Sequence, residues 1–354
     1  MSSVDIKLEK STPQIGKIQS CTWIKYSRGD YMHRRWKEII LALSLGLILP
    51  SMLFSVSEKR VADKMQESLQ TDQTSSEISK DKCLLLPVQL ADGTICDLKL
   101  EEYLIAVVLR EMPASFETEA LKAQAVVART YALRRHSLGG KHAEASVCTN
   151  SGCCQGYYSP EAYLCDGGSE ESLNKVSNAV RETAGEVLVY ENELIEATYF
   201  SSSGGMTEDA AAVWGSDVPY LVATNSPGEE TSEYFVDTKT FTVAEFAKKL
   251  DITVPTQPGR WIESIVYTSG GGVDEMRICG KSFKGTTIRK KLGLRSTALT
   301  ITVAGSTVTV TTKGFGHRVG MSQYGADAMA MQGNSYQEIL AHYYRGTELI
   351  TYSE

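Results

Sequence analysis

The sequence predicts an α+β fold, with a helical segment, a β-rich C-terminal half and a small inset subdomain, preceded by one transmembrane helix. Helical runs dominate residues 101–183, whereas strand-like runs dominate residues 260–315. Helices and strands do not alternate in a regular βαβ order, which favours α+β over a parallel α/β sheet. A single uncharged apolar run, residues 39–56, predicts the membrane helix.

The N-terminal region has the charge pattern of a signal-anchor. Residues 1–38 carry a net charge of +4 in a chain of net charge -7, and Arg34, Arg35 and Lys37 directly precede the apolar run. This order predicts a cytoplasmic N-terminus and an extracytoplasmic C-terminal part. A cleaved signal peptide is the alternative, but no convincing small-residue cleavage site follows. Met32 begins a more usual basic leader, so we consider it a candidate translation start.

The remaining chain divides into a polar stalk at residues 57–82 and an extracytoplasmic domain at residues 83–354. Within this domain, residues 232–290 are the predicted inset. The acidic balance argues against nucleic acid as a ligand, because phosphate recognition requires a basic face.

The predicted elements follow in chain order. Two apolar runs around the turn at residues 91–94 form a hairpin, and a helix over residues 101–112 precedes Pro113. Ser115 is the expected N-cap of a second helix to about residue 135. An irregular segment (136–168), a helix (170–183) and a hairpin around residues 191–192 come next. A strand and helix (232–254), a β-rich stretch (260–315) and a final helix (335–344) complete the chain.

Glu111 is the strongest candidate catalytic residue. It follows an apolar helical run and precedes the turn at Met112-Pro113, where a carboxyl can be partly desolvated. Desolvation raises a carboxyl pKa and suits a general acid near neutral pH. An exposed glutamate at the end of an ordinary helix is the alternative.

Longer motifs around this glutamate resemble a known family. The Glu-Met-Pro turn is followed by EALKAQA at residues 119–125 and ARTY at residues 128–131. YFSSSGGMTE (199–208), VWGSDVPYL (213–221), LGLRST (292–297) and GFGHRVGMSQYGA (314–326) extend the likeness over roughly residues 84–352. This pattern is similar to the stage II sporulation protein D family, which shares it with amidase-enhancer relatives.

The resemblance implies a lytic transglycosylase that acts on peptidoglycan. Glu111 would protonate the oxygen between N-acetylmuramic acid and N-acetylglucosamine, and its carboxylate would then deprotonate the muramic C6 hydroxyl. That hydroxyl closes on C1 as a 1,6-anhydro sugar, so one carboxyl serves both steps, whereas ordinary glycosidases use two. The expected substrate-binding residues are Arg129, Tyr199, Ser202, Ser203, His317, Ser322 and Gln323.

For some of these residues, a purely structural role is the alternative. Arg129 lies on a helix of small and apolar residues, where a salt bridge to Glu119 or another acid would also satisfy it. Tyr199 stacks on a sugar or packs in the core. The family usually has glycine where this chain has Arg318, so the resemblance does not determine the backbone conformation beside His317. The side chain of Arg318 could reach a carboxylate of the substrate.

One histidine and three cysteines lie close together in the chain: His142, Cys148, Cys153 and Cys154. This number of donors suffices for a closed tetrahedral zinc site. The resemblance implies a structural zinc here, with Cys153 in place of a histidine. Disulfide pairing in an oxidising compartment is the alternative, and His136 is a possible substitute ligand.

The resemblance also implies a setting and partners. The protein would be a single-pass membrane protein facing the space between mother cell and forespore, in septal thinning and engulfment. It would cut glycan strands already stripped of peptides, beside stage II sporulation proteins P and M. The main alternative is a non-catalytic, wall-binding activator of a peptidoglycan amidase; a zinc hydrolase of wall peptides and a purely structural septal protein are further alternatives.

Overall fold

A computed structural model of the protein describes residues 84–255 and 261–353. The N-terminal segment 1–38, the anchor 39–56 and the stalk 57–82 lie outside the described residues, so those predictions stay predictions. Within the described ranges, no helix is both long and apolar enough to cross a bilayer. Residues 82–354 form a compact unit of their own.

The mixed α+β class is confirmed by the order of the elements. The helices are α1 (Leu100–Glu111), α2 (Thr118–Ser137), α3 (Pro160–Cys165), α4 (Glu170–Glu182), α5 (Ala210–Trp214), α6 (Val243–Leu250), α7 (Gly285–Leu292), α8 (Gln323–Met331) and α9 (Tyr336–Tyr343). The strands are β1 (Leu85–Gln89), β2 (Ile95–Lys99), β3 (Val147–Cys148), β4 (Glu186–Tyr190), β5 (Glu193–Leu194), β6 (Tyr199–Phe200), β7 (Val236–Thr242), β8 (Ile262–Tyr267), β9 (Val273–Ile278), β10 (Lys281–Lys284), β11 (Ala298–Ala304), β12 (Thr307–Lys313), β13 (Met321–Ser322) and β14 (Glu348–Thr351).

Helix α2 is the centre of the larger core. Its side chains from residues 120 to 133 are buried, apart from that of Lys122. Most of them are small, so α1, α4, α8, α9 and β4 can all pack against it. Short sheets surround these helices: β2-β1-β3, β14-β4-β5 and the parallel pair β13-β6. The pair β13-β6 brings residues 199–200 beside residues 321–322, which are far away in sequence.

A second core lies within residues 236–313. Two antiparallel sheets, β10-β9-β8 and β11-β12-β7, are joined by α6 and α7, and their apolar faces enclose Phe246, Met276 and Val308. The predicted inset at 232–290 covers only part of this core, because β11 and β12 continue it to residue 313.

The hairpins predicted around residues 91–94 and 191–192 are confirmed by the antiparallel pairs β1-β2 and β4-β5. One expectation about the elements was wrong. Helix α2 begins after Glu117 and not after Ser115, because the carboxylate of Asp327 accepts the Glu117 N–H at 2.7 Å. The cap therefore comes from a distant residue. The stretch 260–315 is β-rich as predicted, with strands β8 to β12, and it also contains α7, whose Ile288 and Leu292 share one buried face.

Candidate functional site

A cleft of about 580 Å³ opens at the C-terminal end of α1. The glutamate at that helix end, the loop at residues 151–154, strand β6 and the loop at residues 315–317 line it. Its lining residues include Glu111, Glu196, Tyr199, Trp214, Phe315, His317 and Gln323. Of the predicted catalytic and substrate-binding residues, this cleft brings together Glu111, Tyr199, His317 and Gln323, and the predicted metal ligands Cys153 and Cys154 also line it.

Glu111 is the last residue of α1 and is partly buried. Desolvation raises the pKa of its carboxyl above the usual range, while a hydrogen bond from the Gly156 N–H and the charge of Arg110 oppose that rise. The net result is a carboxyl that holds its proton at higher pH than an exposed glutamate does. This environment suits a group that first donates and later accepts a proton.

Gly156 was not recognised from the sequence, although it directly contacts the candidate acid. Its N–H donates to Glu111 Oε1. A Cβ at this position would lie 2.8 Å from that oxygen and 2.5 Å from Arg110 Cγ, so a glycine is required for the approach. The sequence feature that could have indicated its role is its position just after the cysteine cluster.

Tyr199 is one of the residues that line the cleft. Burial raises the pKa of this tyrosine, and the charge of Glu111 adds to the rise, which places the two groups within electrostatic reach. Gln155, fully buried, donates from Nε2 to the Tyr199 hydroxyl at 3.3 Å and accepts from the Tyr103 hydroxyl at 3.3 Å. Since the Tyr199 oxygen already accepts a hydrogen bond, its own proton is free to point toward the carboxyl or a ligand.

The side chains of Gln323 and Ser322 form hydrogen bonds with other groups of the protein. Gln323 lines the cleft, yet its Nε2 donates to the Glu111 backbone carbonyl at 2.9 Å, a group that the end of α1 leaves without a helical partner. Ser322 is buried and caps α8 by accepting the Gly325 N–H at 3.2 Å. Gln323 thus fixes the helix end that carries Glu111, and Ser322 fixes the helix that carries Gln323.

Ser202 and Ser203 are fully buried and do not line the cleft. Both hydroxyls donate to the carboxylate of Glu229, at 2.7 Å each, and the Ser203 N–H adds a bond of 2.8 Å. Ser226 donates to the same carboxylate at 2.6 Å. The structure therefore places both serines in a buried network that shapes the loop behind the cleft, and Ser201 is the serine of this loop that lines the cleft.

Arg129 also lies away from the cleft. Its guanidinium is fully buried and forms a bidentate pair with Glu101, at 2.8 and 2.6 Å, and it donates to the backbone carbonyls of Val180 and Glu186. This geometry matches the structural salt-bridge alternative, with Glu101 as the acid and not Glu119.

His317 lies between the rings of Trp214 and Phe200, with centroid distances of 5.3 and 5.6 Å. Burial and the nearby charge of Arg289 lower its pKa to about 4, although the Tyr199 backbone opposes the shift. The Val319 N–H points at Nδ1 at 3.1 Å, so in the neutral ring Nε2 carries the proton. The imidazole is therefore a neutral hydrogen-bond donor near pH 7.

Arg318 adopts the left-handed conformation with a φ of 67°, so the backbone keeps the geometry that a glycine would adopt. Its buried guanidinium pairs with Glu208 at 3.2 Å and donates to the carbonyls of Ser203, Met206 and Gly270, each at 2.7 Å. All of these partners are internal, which argues against the idea that Arg318 reaches a substrate carboxylate.

The predicted metal ligands come together beside the cleft. The donor atoms of His142, Cys148, Cys153 and Cys154 all lie within 4.8 Å of one another. His142 Nε2 lies 3.5 Å from Cys154 Sγ and 3.8 Å from Cys153 Sγ, and the latter two sulfurs are 4.0 Å apart. Donors around a tetrahedral zinc lie about 3.5–3.8 Å apart. The set therefore fits a metal ion with four protein ligands.

Disulfide pairing and ligation by His136 are the two alternatives for this cluster. Every cysteine that the structure describes is a free thiol. His136 is not part of the cluster, because its Nδ1 is 2.8 Å from the hydroxyl of Ser146. The cluster thus keeps the four donors that the sequence predicted.

Several known proteins are similar to this chain. Residues 92–190, which include Glu111 and the four candidate metal ligands, match the family model described as Stage II sporulation protein. The chain is similar to stage II sporulation protein D of Bacillus amyloliquefaciens, with 39% identity over 88% of this chain and 92% of the relative. The corresponding protein of Bacillus subtilis is 40% identical over 81% of this chain and 85% of the relative. An amidase enhancer of Bacillus subtilis is 32% identical over 70% of this chain and 40% of its own length.

Proposed function

The chain belongs to the stage II sporulation protein D family, and from this premise we propose that it is a sporulation lytic transglycosylase that cuts peptide-free peptidoglycan strands. The observation that carries the proposal is the single desolvated carboxyl of Glu111 in the cleft. The other carboxylate among the described lining residues, Glu196, is paired with Arg134 and Arg135. A single available carboxyl favours a reaction in which the attacking hydroxyl belongs to the substrate.

The proposed reaction has two proton transfers. Protonated Glu111 donates to the oxygen between N-acetylmuramic acid and N-acetylglucosamine as the bond from C1 to that oxygen breaks. The carboxylate then removes the proton of the muramic C6 hydroxyl, whose oxygen bonds to C1. The product is a 1,6-anhydro sugar, no water is consumed, and Glu111 regains its proton.

Neighbouring groups position Glu111 for both proton transfers. The Gly156 N–H holds Oε1, and no other described residue donates a hydrogen bond to the carboxyl, so Oε2 is left for the substrate. The Tyr199 proton can stabilise the carboxylate that forms after the first transfer. Gln323 fixes the backbone of Glu111 through its carbonyl.

The metal in this proposal is a structural zinc held by His142, Cys148, Cys153 and Cys154. With four protein ligands it would cross-link the loop that leads into Gln155 and Gly156. Its contribution is therefore to hold that loop, and the proton transfers belong to Glu111.

Setting and partners are part of the same proposal. We place the catalytic unit outside the cell membrane, anchored by residues 39–56, in the space between mother cell and forespore. Stage II sporulation proteins P and M are the proposed partners, since an amidase is needed to produce the peptide-free strands.

The test uses residues 82–354 and peptide-free glycan strands, with the products identified by mass spectrometry. We expect 1,6-anhydromuramyl ends from the unaltered protein and a loss of about 10²- to 10⁴-fold in rate for Glu111→Gln. Glu102→Gln is the matched control, because Glu102 is exposed on the same helix and should not affect cleavage.

Two other outcomes would replace the proposal. Reducing ends that carry an oxygen from water would indicate a hydrolase with a second catalytic group. The similarity to an amidase enhancer favours a second candidate, a non-catalytic activator of an amidase. That function would be indicated if the folded protein cut nothing but accelerated peptide removal by an amidase equally with and without Glu111→Gln.

A further inference from the structure

Two large aromatic side chains are exposed in the wall of the cleft. Trp214 is 45% exposed and Phe315 is 39% exposed, and both line the same cleft as Glu111. Exposed apolar surface that lines a concave site usually marks a contact with a ligand or partner. The proton transfers proposed above use neither ring.

Both rings are held in place from behind. Trp214 ends α5, where Gly215 adopts the left-handed conformation with a φ of 78°, and its indole packs against His317. Phe315 is fixed through its backbone, which exchanges hydrogen bonds of 2.7 and 3.1 Å with Ser202. Its ring packs against Tyr234 at 5.5 Å and lies 5.7 Å from the guanidinium of Arg295. The two rings are thus supported on one side and accessible on the other, which limits the entropy lost when a ligand binds.

The surroundings of the rings favour contact with an uncharged face of a ligand. His317, which supports the indole, is neutral near pH 7. The cations in the described lining are engaged by the protein itself: Arg135 pairs with Glu196, and Lys141 donates to the Cys153 carbonyl. Pyranose rings of a β-1,4-linked glycan present flat C–H faces and no charge on those faces, so they match exposed aromatic rings.

We propose that Trp214 and Phe315 form two stacking subsites that bind pyranose rings of the glycan strand beside Glu111. This inference rests on the proposed function for its substrate class and names the residues that hold the strand. The two rings would provide affinity for a polymer, while Glu111 provides the chemistry. Binding would therefore depend on strands long enough to cover both rings.

Tryptophan fluorescence of residues 82–354 tests the proposal directly. This unit contains two tryptophans, Trp214 and Trp261, and Trp261 belongs to the second core. In a Trp261→Phe, Glu111→Gln background, titration with peptide-free glycan strands should change the emission of Trp214 and saturate. The parent carrying only Glu111→Gln is the control, and it should bind the strands with the same affinity.

Substitutions then separate stacking from folding. Affinity, measured by co-sedimentation with insoluble strands or by calorimetry, should fall about tenfold for Trp214→Ala and for Phe315→Ala. Trp214→Phe should restore most of the affinity, because it keeps an aromatic face. In the catalytically intact background, the alanine variants should raise KM and leave kcat nearly unchanged.

The two proposals can fail separately. If the alanine variants bind and cut the strands with unchanged affinity and KM, the subsites are refuted while the transglycosylase proposal stands. If the unaltered protein cuts nothing but binds strands in a Trp214-dependent way, the subsites stand and the reaction is refuted. Emission that responds to an amidase protein and not to glycan strands would assign the rings to protein docking and overturn the proposal.

Discussion

At the residue scale, the pKa of Glu111 reflects a balance between opposing influences. Burial at the end of an apolar helix favours the protonated form, and the Gly156 N–H and Arg110 favour the carboxylate. A group that must give up and then recover a proton benefits from such a balance, because neither form is excessively stabilised.

Gly156→Ala provides a test of that balance. The added Cβ would collide with Glu111 Oε1 and Arg110 Cγ, so the hydrogen bond to the carboxylate would lengthen or break. We expect kcat for glycan cleavage to fall about 10- to 100-fold, since a small displacement of a catalytic group has such effects. Loss of the bond should raise the pKa of Glu111 further. The acid must be protonated to start the reaction, so the alkaline limb of the pH–rate profile should move to higher pH.

The pH profile separates this positioning role from a general loss of stability. A variant that is only destabilised would show a lower Tm and an unmoved alkaline limb. That result would contradict the assignment of Gly156 to the site.

At the element scale, the loop from His142 to Gly156 connects the candidate metal ligands to the helix that carries Glu111. Cys154 is followed by Gln155, which holds Tyr199, and then by Gly156, which holds Glu111. A fixed position of Cys154 therefore also limits the movement of Gln155 and Gly156, the two residues that hydrogen-bond to Tyr199 and Glu111. A short loop with few apolar side chains has little intrinsic stability, so a metal ion would contribute much of its order.

Metal removal tests this connection. We expect about one zinc per chain by elemental analysis, and chelation should lower the Tm and reduce glycan cleavage together. Cys148→Ser should reproduce both effects, with restoration of neither by added zinc. Residues 82–354 have two apolar cores, so we expect the fold to persist without the metal. Full activity after complete zinc removal, or a disulfide detected among the three cysteines, would contradict the structural role.

At the scale of the whole described molecule, a buried ion pair joins the second core to the cleft. Arg318 follows His317 in the chain, pairs with Glu208 and donates to Gly270 in the turn between β8 and β9. Gly270 and Gly272 pack so closely on the Glu208 carboxylate that a Cβ at either position would overlap it. The pair therefore fixes the loop that carries His317 and Phe315 against the β-rich part.

Arg318→Gly should destabilise the protein by about 3 kcal/mol. Removal of the guanidinium leaves the Glu208 carboxylate buried without a counter-charge, which costs about 3–5 kcal/mol, while the glycine relieves roughly 1 kcal/mol of left-handed backbone strain. Chemical denaturation of residues 82–354 measures the difference. The double variant Arg318→Gly, Glu208→Gln should recover part of the loss, since its buried group is neutral. An unchanged free energy of unfolding in the single variant would show that the pair is not structurally important.

The sequence by itself determined the features that depend on nearby residues. The apolar run before Glu111 predicts the helix end, and the short spacing from His142 to Cys154 brings four donors together in one loop. Local propensity and turn chemistry also predicted the hairpins around residues 91–94 and 191–192. These features form because their partners lie within a few turns of chain.

Only the tertiary structure decided the roles that depend on distant partners. Arg129 is satisfied by Glu101, Ser202 and Ser203 by Glu229, and Gln323 by the carbonyl of Glu111, which lies 212 positions away. The residue type of a polar side chain does not show whether it will face a cleft or join a buried network. Packing alone determines which acceptor it meets and whether water reaches it, and so which of the predicted residues face the cleft.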